Sequence, residues 1–164
     1  MKSIRQGGFT LVELTAVIAI LGILTATALP RITALTGEAR YSLLNSARGN
    51  LSSVTTMAHA KYLINGKPAQ AFEDSTVTLA YGYPEATQAT ADAAGLADYV
   101  VYTQARGPTA TTPAVTAGSM ALVPKDIAGT ARAVDCYLVY EEASTARPAP
   151  VIRLGDNASA QRCN

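Results

Sequence analysis

The chain has no tryptophan, one histidine, two cysteines and two phenylalanines among its 164 residues, and only 15% of its residues are charged. No cysteine or histidine group has the spacing of metal ligands. The G-x-S-x-G, P-loop and H-E-x-x-H motifs are absent as well, and the acidic residues are scattered along the chain. We therefore predict a protein that is not an enzyme and that has no cofactor and no metal site.

One long stretch of the chain almost lacks charge. Residues 9–29 form an apolar run whose single charged side chain is Glu13. As a helix, 21 residues span about 31 Å, which is enough to cross the hydrocarbon core of a bilayer. A carboxylate inside such a segment costs at least ~2.5–3.5 kcal/mol on insertion scales, so Glu13 indicates a function.

The residues before this run differ from an ordinary secretory signal. Such a signal is cleaved at small residues after its apolar region, whereas here the small pair Gly7-Gly8 precedes the run. Lys2 and Arg5 fit retention of this end in the cytoplasm during insertion. A cut after Gly8 would leave the apolar helix in the mature protein. It would also create an α-ammonium one helical turn from Glu13.

The sequence "GGFTLVELTAVIAILGIL", with its short basic leader, closely resembles the class III signal of type IV pilins and related pseudopilins. In that family a membrane peptidase cuts after the glycine and methylates the new N-terminus. The resemblance implies cleavage after Gly8, N-methylphenylalanine at Phe9, and an assembly role for Glu13. In a filament, Glu13 would pair with the Phe9 ammonium of a neighbouring copy, because a paired buried charge is tolerated where a lone one is not.

Gly22 and Pro30 mark a segment where the helix is expected to be weak. Glycine is a poor helix former, and proline removes a backbone N–H and clashes with the preceding turn. The resemblance implies that the helix between these two residues loses regularity inside the filament. The alternative is that Pro30 only bends the helix where it leaves the membrane.

After Pro30 the pattern becomes amphipathic, with apolar residues at spacings of three and four. The predicted stripe contains Ile32, Leu35, Ala39, Leu43, Ala47, Leu51, Val54, Ala58 and Tyr62. Asn65-Gly66, followed by Pro68, predicts the end of the helix. Residues 9–64 would then form one helix about 84 Å long, which is too long for so small a domain to cover.

The remaining residues predict a small α+β head. Short strands are expected in residues 76–84, 119–124, 136–143 and 149–155, a short helix in residues 85–100, and a loop between them from Val101 to Gly118. Turns between consecutive strands favour an antiparallel sheet. The fold class is therefore α+β, a pilin fold in which a long N-terminal α-helix, transmembrane and then amphipathic, packs on a small antiparallel β-sheet.

This organisation gives four segments. Residues 1–8 are the leader, 9–30 the transmembrane and filament-core helix, 31–66 the amphipathic half of the helix, and 67–164 the head. Cys136 and Cys163 predict one disulfide in an exported chain and free thiols in a cytosolic one. The resemblance implies the disulfide, since many pilins close a C-terminal loop in this position. "AHAKYLINGK" and "TVTLAYGYPEA" further resemble the mannose-sensitive haemagglutinin group of type IV pilins, which fits a type IVa-like prepilin.

The resemblance implies a structural subunit of a type IV pilus, for adhesion, attachment or twitching motility. Its partners would be other copies in a helical filament, the prepilin peptidase and the pilus assembly machinery. The precursor would lie in the bacterial inner membrane and the mature protein in a surface pilus. The alternatives are a pseudopilin of a type II secretion system, a DNA-uptake pilin and a monomeric anchored protein. Without residues 1–8, 11 basic side chains face 12 acidic ones, and this balance disfavours nucleic acid as a partner.

Overall fold

One helix accounts for a third of the molecule. The structure, a computed structural model, describes the backbone of residues 9–73 and 75–164, and the side chains of these residues apart from 30–34. Helix α1 runs from Leu11 to Asn65 and continues through Pro30. Gly66 ends it in the left-handed conformation, with φ 65°, and its N–H donates to the Tyr62 carbonyl at 2.7 Å. Glycine adopts this conformation without a Cβ penalty, so the end predicted at Asn65-Gly66 is confirmed.

Two antiparallel sheets follow α1. Strands β1 (Ala69–Ala71), β2 (Thr76–Ala80) and β3 (Tyr83–Pro84) form the first, in chain order. Helix α2 (Gln88–Ala93) leads into the second sheet, a meander of β4 (Tyr99–Tyr102), β5 (Ser119–Pro124), β6 (Leu138–Glu141) and β7 (Val151–Leu154). A short 3₁₀ helix, Ala131–Val134, lies between β5 and β6. The predicted α+β class, with a sheet packed on the long helix, is confirmed.

Three elements differ from the sequence-based expectation. The helix expected within residues 85–100 is reduced to α2, and the residues from Tyr99 to Tyr102 form a strand instead of the end of a helix and the start of a loop. Tyr99 pairs with Pro124, and Tyr102 pairs with Ala121. This pairing supplies backbone hydrogen bonds from a segment distant in sequence, which local composition does not reveal. The short strand β1 was also not predicted.

The core forms between one side of α1 and the second sheet. All six residues of β5 are buried. The α1 residues buried against the head are Leu44, Ala47, Leu51, Val54 and Ala58. The predicted stripe is therefore right for Ala47, Leu51, Val54 and Ala58. It is wrong for Leu35, Ala39 and Leu43, which are exposed, and the side chain of Ile32 lies outside the described residues. Leu43 lies at the edge of the head, where its carbonyl accepts the Tyr99 hydroxyl at 2.9 Å.

Candidate processing and assembly segment

The start of α1 is built by a reciprocal pair of hydrogen bonds between Thr10 and Glu13. Thr10 is the N-cap residue, and its hydroxyl accepts the backbone N–H of Glu13 at 3.2 Å. The Glu13 carboxylate in turn accepts the Thr10 backbone N–H and the Thr10 hydroxyl, each at 2.9 Å. This is a capping box, which satisfies two backbone donors that the first helical turn would otherwise leave unpaired.

Glu13 is therefore placed by its own helix before any other chain is involved. A carboxylate near a helix N-terminus interacts favourably with the helix dipole. Both hydrogen bonds from Thr10 end on the same carboxylate oxygen, Oε2. Because an ionised carboxylate offers about four acceptor positions on two oxygens, the capping box does not saturate it. The side chain can still accept from a further donor.

The role of Thr10 was missed at the level of sequence, although a signal for it was present. The spacing T-x-x-E directly before an apolar run is the pattern of a capping box. The residues Thr10 to Glu13 show this pattern.

The helix that follows is apolar on all sides and lies apart from the head. Residues Leu11–Leu29 are long and apolar enough to cross a membrane by length and composition, and none of this stretch is buried in the structure. Its threonines do not need water, because their hydroxyls bond to backbone carbonyls. Thr15 donates to Val12 at 2.9 Å, and Thr25 donates to Leu21 at 2.7 Å. The whole surface of this helix thus suits lipid or other helices.

The remaining processing and helix-break residues are only partly described. Gly8 and the leader lie outside the described residues, as does the side chain of Pro30. At Gly22 nothing lies within 4 Å of the position that a Cβ would take. The loss of regularity between Gly22 and Pro30 inside a filament stays a prediction.

The C-terminal loop is fixed to the head and to α1. Cys136 and Cys163 form a disulfide, and both are fully buried. From α1, the Arg40 guanidinium donates to the Cys163 carbonyl at 2.7 Å and to the Asp126 carboxylate at 2.7 Å. At Gly37 the C-terminal segment lies so close that a Cβ would be 2.2 Å from the Ala160 carbonyl oxygen. The loop therefore packs on the helix at a glycine and is held there by an arginine.

Three aspartates of the head are paired with arginines. Asp126 pairs with Arg40, Asp135 pairs with Arg162 at 3.1 Å, and Asp156 pairs with Arg153 at 2.7 Å. Within the part of the chain that the structure describes, no group of three or more histidine, cysteine, aspartate or glutamate side chains is placed to hold a metal ion. The Asp126 pair thus joins the head to α1, and the Asp135 pair joins the C-terminal loop to the residues after the 3₁₀ helix.

A family model described as the prokaryotic N-terminal methylation motif matches residues 4–29. No curated protein and no solved structure matches the chain. The motif implies processing by prepilin peptidase and assembly into a filament of many subunits, and pilin-type proteins are structural subunits and not an enzyme family. The motif and the apolar helix also fit membrane anchoring of the precursor. Together, the motif and the uncovered apolar helix that follows it indicate a type IV pilin-like prepilin.

Proposed function

We propose that the chain is the structural subunit of a type IV pilus, which polymerises through α1 into a surface filament for adhesion, attachment or twitching motility. The observation that carries this proposal is the stretch Leu11–Leu29, an apolar helix that starts at the methylation motif and that the head leaves uncovered. Such a surface must meet lipid or other protein, because exposed apolar patches of this size do not persist in water. The membrane would hold the precursor, and the filament core would replace the lipid.

Assembly would use the accepting capacity that remains on Glu13. After cleavage at Gly8, the methylated amine of Phe9 stays protonatable. An ammonium from a neighbouring copy at Glu13 would pair with a carboxylate that Thr10 already holds in place. Because Phe9 and Glu13 are four residues apart, this contact shifts the two helices by about 6 Å along their axis. Removing one partner of such a buried pair typically costs ~3–5 kcal/mol.

Two features of the head favour a pilus over a type II secretion pseudopilin. The C-terminal loop is closed by a disulfide, as in many pilins, whereas major pseudopilins commonly use a calcium-binding loop. Asp126, Asp135 and Asp156 are each paired with an arginine, so each of these carboxylates already has a cationic partner. The resemblance to the mannose-sensitive haemagglutinin group points the same way.

The proposal is tested on cells that produce the full chain with its assembly machinery. Surface material is sheared off, imaged by electron microscopy and labelled with an antibody to the head. We expect long labelled fibres that disappear when the gene is deleted. If no labelled fibres are found and deletion of the gene blocks protein secretion, the pseudopilin alternative would be established. Salt-dependent retention of DNA by the purified protein would support the DNA-uptake alternative.

A further inference from the structure

A cleft of about 340 Å³ opens on one side of α1, where β3 and β7 approach the helix. Among the described residues that line this cleft, one side chain is charged, Arg48, and none is acidic. The others are Ser52, Thr55, Thr56, Tyr83, Ala149, Pro150 and Ile152. We call this surface the basic cleft. An anionic group that entered it would meet a cation and no repelling carboxylate.

Arg48 has no partner in its own chain. Its side chain is exposed, and within the residues that the structure describes it forms no ion pair and no hydrogen bond. Arg40, on the same helix, differs because it is held by Asp126 and by the Cys163 carbonyl. A guanidinium presents five donors in a planar fork that fits a carboxylate. Arg48 is therefore a cation whose donors remain available.

A second cleft, of about 490 Å³, lies on the opposite side of α1. Its helix wall is formed by Val54, Met57 and Lys61, and its head wall includes the end of α2. Met57 follows Arg48 by nine residues, or about two and a half helical turns, so these two residues lie on opposite sides of the helix. The two clefts therefore cannot meet within one chain.

The second cleft carries more negative than positive charge. Glu73 and Asp92 line its head wall, and Lys61 is the single cation among its described lining residues. The Lys61 ammonium donates to the Ala71 carbonyl at 2.8 Å and lies 4.4 Å from the centre of the Phe72 ring, so it lies beside the residues that precede Glu73. Two carboxylates and one ammonium leave one negative charge uncompensated. We call this surface the acidic cleft.

Asp92 is the carboxylate of the acidic cleft that is best placed to accept a further cation. It lies near the end of α2 and is exposed. Within the described part of the chain it forms no ion pair, and one of its oxygens accepts the Gln88 side-chain amide at 2.9 Å. Since an ionised carboxylate offers about four acceptor positions on two oxygens, most of this capacity remains.

We propose that the Asp92 carboxylate of one copy enters the basic cleft of a second copy and pairs with Arg48. This proposal rests on the proposed function. The basic cleft has one uncompensated positive charge and the acidic cleft has one uncompensated negative charge, so each supplies what the other lacks. Because the clefts lie on opposite sides of α1, the contact is head to tail, and such a contact repeats from copy to copy along a helical filament.

The positions of the clefts along α1 set the direction of the shift between the two copies. Membrane insertion orients all copies in the same direction, so their helices run parallel. The helix wall of the acidic cleft spans residues 54–61. For Arg48 to lie level with this wall, its copy must be shifted by about 6–13 residues, or about 9–20 Å, toward the C-terminal end of the neighbouring α1.

The pairing of Phe9 with Glu13 acts in the same direction. It shifts the copy that supplies Phe9 by about 6 Å toward the C-terminal end of the neighbouring α1. At that shift Arg48 lies level with Ser52 of the neighbour, about 3 Å before Val54, and a long arginine side chain spans this gap. The copy that supplies the ammonium to Glu13 therefore also presents Arg48 to the acidic cleft of the same neighbour.

Exchange of the two charges tests the pairing in cells that produce the full chain with its assembly machinery. Arg48→Glu should reduce the yield of sheared fibres by about tenfold or more, because it places like charges opposite each other. Arg48→Glu combined with Asp92→Arg should restore the yield to within about threefold of the wild type, because the pair forms again with its charges reversed.

The matched control combines Arg48→Glu with Asp98→Lys. Asp98 is an exposed carboxylate that lines a separate cleft beside Leu43. Leu43 lies about five helical turns before Lys61, so it is on the side of the acidic cleft, but it is about 17 Å before Val54 along the helix. The control makes the same change of net charge as the pair with Asp92→Arg. It should leave the fibre yield as low as in Arg48→Glu alone.

A measurement of folding separates assembly from stability. Because Arg48 has no partner within the described residues of its own chain, detergent-solubilised Arg48→Glu should have the same Tm as the wild type. Wild-type fibre yield from Arg48→Glu would overturn the inference. Equal recovery with Asp92→Arg and with Asp98→Lys would overturn it as well, and so would no recovery with Asp92→Arg in a double variant whose Tm is that of the wild type.

A zero-length crosslink provides a second test with a conservative variant. Arg48→Lys keeps the positive charge, so it should form fibres, and a carbodiimide joins an ammonium and a carboxylate in contact as an amide. Treated fibres should give a ladder of covalent oligomers on a denaturing gel. Mass spectrometry should find the lysine of Arg48→Lys joined to the peptide that contains Asp92. Wild-type fibres, which have no amine at this position, are the control.

An amide from this lysine that reaches only other carboxylates, or no ladder beyond that of the wild type, would overturn the inference and leave the pilus proposal intact. If the wild-type chain forms no fibres, the proposed function itself fails. The two failures are thus distinct.

Discussion

Replacing Gly37 with alanine tests how the C-terminal loop packs on α1. The new Cβ would lie 2.2 Å from the Ala160 carbonyl oxygen and 2.9 Å from the Asn164 Cβ. A carbon normally stays about 3.3 Å or more from a carbonyl oxygen, so the segment must move by about 1 Å. It cannot simply swing away, because Cys163 is bonded to Cys136 and its carbonyl accepts from Arg40.

The size of the effect follows from these contacts. Overpacking of this kind costs about 1–3 kcal/mol. Weakening the charged hydrogen bond from Arg40 increases this cost by up to about 1.5–3 kcal/mol. The better helix propensity of alanine offsets about 1 kcal/mol of the loss. We expect Gly37→Ala to lower the free energy of unfolding by about 2–4 kcal/mol. For a chain of this length that corresponds to a fall in Tm of roughly 5–12 °C.

Gly49→Ala is the matched control, since it makes the same change in the same helix. Nothing lies within 4 Å of the Cβ position at Gly49. The alanine should therefore raise stability by about 0.4–1 kcal/mol through helix propensity and chain entropy. Thermal unfolding of the two full-length variants in detergent, followed by near-ultraviolet circular dichroism, measures both. Equal shifts of the two variants, or a higher Tm for Gly37→Ala, would refute the packing described for the loop.

Three further predictions concern the assembly residue, the cut and a buried tyrosine. Glu13→Gln keeps the capping box but removes the charge, so sheared fibre yield should fall severely while membrane insertion persists; Thr10→Ala weakens the box and keeps the charge, so its yield should fall much less. Equal losses would assign Glu13 to capping alone. A bulky residue in Gly8→Leu should leave full-length precursor in the membrane, and a mature-sized band on an immunoblot would remove the proposed cut. Burial raises the pKa of the Tyr140 phenol above its unfolded value of about 10, so its contribution to stability is full below that pH and lost as pH rises further. The Tyr140 hydroxyl donates to the Pro84 carbonyl, and Tyr140→Phe removes this donor. In urea titrations the variant should have a free energy of unfolding about 1–2 kcal/mol lower at pH 7, and it should lose less stability than the wild type as the pH rises above about 10. A variant as stable as the wild type at pH 7, with the same loss of stability at alkaline pH, would contradict this.

Local signals in the sequence were sufficient for the elements whose ends and faces depend on neighbouring residues. Gly66 ends α1 because its own conformational freedom allows it, and β5 follows a continuous run of apolar residues. β4 was not predictable in this way, because it forms by pairing with a strand twenty residues later. Leu43 was assigned to the buried stripe by its spacing alone. Whether a helix face is covered depends on the width of the head, which spacing does not give.

The same distinction applies to the candidate site. The apolar run, Glu13 and the glycine pair are adjacent in sequence, so the pattern that they form together could be recognised from the sequence. The spacing of Thr10 and Glu13 also contained the signal of the capping box, although the prediction did not use it. The fit of the C-terminal loop on α1 was not, because Arg40 and Cys163 are separated by 123 residues and meet only in the folded head.

The central claim is that a cut after Gly8 converts a membrane precursor into a filament subunit with a methylated phenylalanine at its start. Mass spectrometry of the subunit from sheared fibres measures this most directly, with fragmentation of its N-terminal peptide. The account predicts a chain that begins at Phe9 and carries one additional methyl group on its amine. A fibre subunit that begins at Met1, or one whose first residue lies beyond Leu29, would contradict it.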